Sequence, residues 1–261
     1  MELSLKGKTA LISGSSQGIG KAIAQELSVL GASCMLVARN QDALEKVLAA
    51  LDKSKGQVHS CYAVDYSDAS AFEIFVQKIS SSHTIDILIN NTGGPAAGKI
   101  AESNPEDFVK AFRQHLVCNQ MLTQAVLPSM KKNNWGRIIN VISTSVRIPI
   151  DNLGVSNTIR AAVASWAKTM SNELALYGIT VNSLLPGFIA TSRLDVVAES
   201  FAKNANISKA EMEERMVNSV PAKRFGMPSE IAAVAAFLAS PAASYVNGVS
   251  IPVDGGRTGT I

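Results

Sequence analysis

The chain has 261 residues, 47% of them hydrophobic and 17% charged, with a formal net charge of +3 at pH 7. That apolar content supports a substantial core and excludes a disordered chain. The Lys and Arg residues are scattered without a long run, which excludes a nucleic-acid footprint, and no stretch is apolar for the ~20 residues that a membrane span needs.

The N-terminal Met1–Lys8 has no apolar h-region and no cleavage signal, so a cytoplasmic location is expected. Cys34, Cys61 and Cys118 are odd in number, widely spaced and outside any CxxC. They read as small buried hydrophobes rather than a disulfide framework. No histidine pair has metal-ligand spacing, so no metal site is expected.

Strand and helix patterns alternate along the whole chain. Thr9–Ser13 is a short apolar strand ending at a glycine. Ile19–Leu30 carries an apolar stripe at Ile19, Ile23, Leu27 and Leu30, and Gly31 stops it. Ser33–Ala38 is a second buried strand and Asp42–Leu51 an amphipathic helix. Val58–Val64 is a third strand, Ala71–Ile79 a helix and Ile85–Ile89 a fourth strand. A helix-rich region covers Pro105–Met130, followed by a strand at Arg137–Ile142 and a long helix from Gly154 to Tyr177. Trp166, Met170 and Leu174 on that helix read as a core stripe. Ile179–Leu185 is a strand, Ser229–Ala239 a helix and Val249–Val253 a last strand. Continuous apolar strands separated by helices predict an α/β fold, a Rossmann-type doubly wound parallel sheet with helices on both faces in one domain. Thr191–Pro221 breaks the regularity, with one helical charge pattern at Ala210–Met216. An excursion of that length reads as a lid over 192–220.

The first strand opens through Ser13-Gly14-Ser15-Ser16-Gln17-Gly18-Ile19-Gly20 directly into a helix. Glycines let the backbone turn tightly and approach a ligand, and the helix N-terminus offers free N–H groups to a pyrophosphate. The G-x-x-x-G-x-G pattern in a strand–helix setting predicts dinucleotide contacts at Gly14, Ser16, Gln17, Gly18, Ile19 and Gly20. The second strand ends at Ala38-Arg39. An acid there accepts from both ribose hydroxyls of NAD, whereas Arg39 suits a 2′-phosphate and points to NADP over NAD. Asp65, after the third strand, is placed to accept from the adenine amino group. Asn90-Asn91-Thr92-Gly93 puts amides and glycines at the carboxyl edge of the sheet.

These motifs in order resemble the classical short-chain dehydrogenase/reductases, close in layout to the 3-oxoacyl-carrier-protein reductases. The glycine segment resembles T-G-x-x-x-G-x-G and Asn90–Gly93 resembles N-N-A-G. Gly136–Asn140 precedes the catalytic-serine position, which falls on Ser143. Leu185–Thr191 resembles the P-G turn that borders the nicotinamide, which implies contacts at Pro186, Gly187 and Ile189, with Asn91 and Gly93 also on the cofactor. Arg224-Phe225-Gly226, Phe237–Ser240 and Val253–Gly256 resemble the C-terminal elements. The resemblance further implies a homo-oligomer, tetramer or dimer, built through the two long helices, and a small-molecule substrate.

The family's next signature is Y-x-x-x-K, and here the chain departs from it. The Tyr position, 13 residues beyond Ser143, is Ser156, and the Lys position is Arg160. Serine is a far weaker acid than a phenol of pKa ~10 and shorter by a ring. Arg160 keeps the positive charge and a donor for the nicotinamide ribose but does not exchange a proton near neutrality. The family's relay Asn falls on His115, whose free pKa of ~6.5 suits acid–base work. Arg147 and Asp151, in the loop after Ser143, are further polar candidates.

Three readings stay open. One is an NADP-dependent oxidoreductase whose proton comes from His115, from a water held by Ser143 and Ser156, or from the substrate. The second is a dinucleotide-binding sensor or scaffold, and the third a non-redox lyase or dehydratase on the same fold.

Overall fold

The computed structural model describes residues 1–259. Seven parallel strands form one sheet in the order β3-β2-β1-β4-β5-β6-β7. They are β1 Thr9–Ser13, β2 Ser33–Ala38, β3 Ser60–Ala63, β4 Ile87–Asn90, β5 Gly136–Val141, β6 Ile179–Pro186 and β7 Ser250–Val253. The apolar runs of β1, β2, β4, β5 and β6 are buried on both sides because helices cover both faces, whereas the edge strands β3 and β7 are only partly covered. Alternate residues of β1 show the division: Ala10 and Ile12 enter one core and Leu11 the other.

The first core packs β1 and its neighbours against α1 (Gly18–Val29), α2 (Gln41–Ala49) and α9 (Pro228–Ala239). The second packs the opposite face against α3 (Ala69–Ser82), α5 (Cys118–Lys132) and α6 (Gly154–Leu174). In α6 the Trp166, Met170 and Leu174 stripe faces that second core. Strand order reverses between β1 and β4, and a doubly wound sheet opens its crevice at such a point.

Three expectations change. Cys34 and Cys118 are buried, but Cys61 is only half-buried, because β3 is the edge strand. The helix-rich segment is not continuous: α4 (Pro105–Phe112) and α5 are joined by a π-helical turn, Arg113–Val117. The excursion after β6 holds two helices rather than one, α7 (Ser192–Ala205) and α8 (Lys209–Asn218). The additional helix α7 buries Val197, Ala198 and Ala202, and that packing stabilises it. Among the described residues no helix is long and apolar enough to cross a membrane.

Candidate active site

A cavity of about 710 Å³ runs along the carboxyl edge of the sheet. At its first end β1 leaves Ser13 and the chain turns through Gly14 (φ +60°) and Gly18 (φ +54°) into α1. Both angles are left-handed, a region glycine enters without a Cβ penalty. The helix opens without a side-chain cap from Gln17, so its first-turn amides remain available to an anion. Packing fixes the glycines as well. Asn91 Nδ2 donates to the carbonyls of Ser13 (3.2 Å) and Gly14 (3.3 Å). A Cβ on Gly14 would lie 2.5 Å from the Asn91 carbonyl, and one on Gly20 would collide with the Gly14 carbonyl. Gly14, Ser16, Gln17, Gly18 and Ile19 line the cavity, whereas Gly20 stands behind its wall. Gly20 therefore serves helix–strand packing rather than direct contact.

Along the same wall Arg39 projects, exposed, from the end of β2. Asp65 follows β3, and its Oδ1 accepts from the Ser67 amide (2.8 Å) and hydroxyl (2.7 Å). Those bonds hold its carboxyl below the ordinary value, with a smaller pull from Arg39. Asn91 and Gly93 continue the wall after β4, and Pro186, Gly187 and Ile189 continue it after β6. The glycine loop, the helix end and the free guanidinium suit an anionic dinucleotide.

At the far end the cavity meets Ser143, Ser156 and Arg160. Ser143 follows β5, and its Oγ accepts from the Ser145 amide at 3.1 Å, which leaves its own O–H free to donate. Ser156 and Arg160 stand one turn apart on α6, and both are buried. The Arg160 guanidinium donates to the carbonyls of Val141 (3.0 Å) and Thr92 (3.3 Å), so it ties α6 to the ends of β5 and β4. Burial, and then the Arg193 charge, pull it down to about 10, which leaves it protonated at neutral pH. Thr92 Oγ1 also meets His115 Nδ1 at 2.5 Å. His115 is only 2% exposed, and its Nε2 has no partner among the described residues. Burial, followed by the charges of Arg160 and Arg193, drives its pKa down to about 2.

The family model described as enoyl-(acyl carrier protein) reductase matches residues 14–258. The NADPH-dependent reductase BacG of Bacillus subtilis is 39% identical, over 97% of this chain and 99% of that protein. The chain belongs to the classical short-chain dehydrogenase/reductase family. The 3-oxoacyl-[acyl-carrier-protein] reductase FabG of Haemophilus influenzae is 35% identical over 97% of this chain and 98% of its own length. Among solved structures, L-sorbose reductase from Gluconobacter frateurii, complexed with NADPH and L-sorbose, superposes with a TM-score of 0.91 at 30% identity, covering all of both chains.

Within this family frame, Ser143, Ser156, Arg160 and all the expected cofactor residues but Gly20 share one wall. His115 does not reach it. The π-helical turn directs its ring into protein behind Thr92, and its free pKa no longer describes it. Arg147 and Asp151 are exposed and off the wall. Sequence reasoning missed Thr92, Gln114 and Arg193, which do line the cavity. Thr92 sat inside a motif already singled out. Arg193 carried no local pattern, and only the fold of the excursion brings it to the site.

Proposed function

We propose that this chain is an NADP(H)-dependent oxidoreductase acting at a carbonyl or hydroxyl carbon of a small organic substrate, with Ser156 and Arg160 in place of the usual Tyr and Lys. The observation that carries this reading is the single cavity joining Arg39 and the glycine loop to Ser143, Ser156 and Arg160. Relatives named as NADPH-dependent reductases support the cofactor assignment. When bound, the nicotinamide cofactor supplies or accepts the hydride. Arg39 recognises the 2′-phosphate, and the first-turn amides of α1 receive the diphosphate. Ser143 donates to the substrate oxygen as negative charge develops. Arg160, protonated and desolvated, stabilises that charge electrostatically without giving up its proton. Ser156, whose hydroxyl has no protein partner among the described residues, holds a water with Ser143, and that water or the substrate provides the proton. His115, neutral at working pH, orients Thr92 and through it the Arg160 guanidinium. The segment 192–220 acts as a lid on a single domain, and the protein works in the cytoplasm as a homo-tetramer or dimer.

Fluorescence titration with NADPH and NADH, on the wild type and on Arg39→Ala, tests the cofactor assignment. NADPH should bind at least ~10-fold more tightly than NADH, and Arg39→Ala should erase the preference, as expected for a lost charge-assisted phosphate contact. Turnover of NADPH with a panel of ketones and aldehydes tests the reaction. Binding without turnover of any of them in the native protein, with turnover appearing in Ser156→Tyr/Arg160→Lys, would favour the sensor or scaffold reading instead.

A further inference from the structure

Arg193, in the first turn of α7, reaches across to the loop after β4 and donates to the Pro95 carbonyl at 2.6 Å. Beneath it lies Gly94. A Cβ placed there would sit 3.2 Å from Arg193 Nη2 and 3.6 Å from Arg160 Nη2, so the two guanidinium ends flank one point that glycine keeps clear. Both arginines line the cavity. Neither has an acidic partner among the described residues. Two other lid cations do: Lys209 pairs with Asp195, Glu199 and Glu213, and Arg215 pairs with Glu211. The one acid on the cavity wall, Asp65, is engaged by Ser67 next to Arg39, at the opposite end. Two like charges converging without a counter-ion repel, and an oxyanion between them removes the repulsion and accepts several charge-assisted hydrogen bonds. The same proximity adds to burial in lowering the Arg160 pKa.

Resting on the cofactor reading above, we infer that Arg193 and Arg160 form a substrate-anion site that recognises a carboxylate beside the reacting carbon. The cofactor's own anions already have receptors in Arg39 and the α1 N-terminus, so the arginine pair is left for the substrate. Ser143 and Ser156 stand at the same end of the cavity, which puts a carbonyl near this carboxylate within their reach. The specificity therefore favours oxo or hydroxy acids over neutral ketones. Arg193 belongs to the lid, so binding of the anion also fastens α7 to the loop after β4.

Benzoate and benzamide are the probes, because a phenyl ring suits the apolar wall of Ile150, Leu153 and Phe188. Calorimetry on the NADPH-saturated protein should give benzoate an advantage of about 10-fold or more over benzamide, the scale of a charge-assisted contact. Arg193→Gln should bring the two within about twofold and leave NADPH affinity within about twofold, while Arg193→Lys, a point charge without the fork, should recover part of the preference. Equal binding or no binding of the two probes to wild type overturns the inference. So does an Arg193→Gln protein that loses NADPH affinity about 10-fold but keeps its benzoate preference, since the guanidinium then serves the cofactor diphosphate. If wild type binds no NADPH, the cofactor reading fails by itself, and the same probes on the NADPH-free protein still decide the arginine pair.

Discussion

His115 shows how far a residue's surroundings can move it from its free behaviour. Its imidazole is buried behind Thr92, beside two guanidinium groups, and its pKa falls to about 2. The unfolded chain titrates it near ~6.5, so above that pH it has no effect on stability. Below it, the unfolded state binds a proton that the native state refuses, and stability falls as pH drops from about 6.5 toward about 2. The slope from this one group is about 1.4 kcal/mol per pH unit. His115→Gln, which keeps a donor and an acceptor but does not titrate, should flatten the urea-measured stability profile between pH 6 and 4 by roughly that slope. An unchanged profile rejects the neutral buried imidazole. Residue identity alone could not have revealed this, because a lone histidine on a helical pattern carries no record of what surrounds it.

At the scale of elements, the segment from Ser143 to Arg160 is positioned by backbone as much as by side chains. The start of α6 is pinned to the loop at Gly98. The Gly98 amide donates to the Asn152 carbonyl at 2.7 Å, and the Gly154 amide returns to the Gly98 carbonyl at 3.2 Å. Gly154 itself lies against Ile100, where an added Cβ would fall 2.5 Å from Ile100 Cβ and 2.7 Å from its Cα. The backbone must move to admit a methyl group. Gly154→Ala should therefore cost about 1–3 kcal/mol despite alanine's better helix propensity, and should weaken cofactor binding by shifting Ser156 and Arg160. Thermal unfolding and NADPH titration measure both; a neutral or stabilised variant contradicts the packing argument. The element types were legible from periodicity, since β1, β2 and β6 fall within a residue of their expected bounds. Two features were not legible. The π-helical turn depends on an extra residue accommodated between α4 and α5, which no apolar period encodes. The helix α7 turns Val197, Ala198 and Ala202 inward, but it lies in an excursion whose helical signal was read only at Ala210–Met216.

For the whole molecule, the sheet binds its functional edge together with buried amides. Asn90 Nδ2 donates to Asn140 Oδ1 at 2.9 Å, Asn140 to the Asn182 carbonyl at 3.4 Å, and Asn182 to the Val246 carbonyl at 2.8 Å. Such a chain crosses β4, β5 and β6 and restrains their relative register, because each buried polar group left alone costs about 1–3 kcal/mol. Outside, Val109 and Phe112 of α4 stay exposed, at 61% and 43%. Apolar exposure of that size on the short helix α4 is consistent with the homo-oligomer proposed above. Sedimentation velocity on the wild type should give a dimer or tetramer, and Val109→Glu/Phe112→Glu should shift it toward monomer; a wild-type monomer refutes the assembly.

Several things were determined by the sequence alone: the parallel α/β architecture, the glycine loop, an arginine at the end of the second strand and the serine and arginine at the Tyr and Lys positions. Each is local, resting on side-chain period, backbone freedom or the chemistry of a single residue at a fixed spacing. Only the tertiary structure decided what those groups meet. It withdrew His115 from the cavity and made it neutral, moved Gly20 behind the wall, and carried Arg193 to Gly94 beside Arg160. The physical reason is common to all three. Burial, charge proximity and close packing arise between segments distant in the chain, so they exist only once the chain is folded.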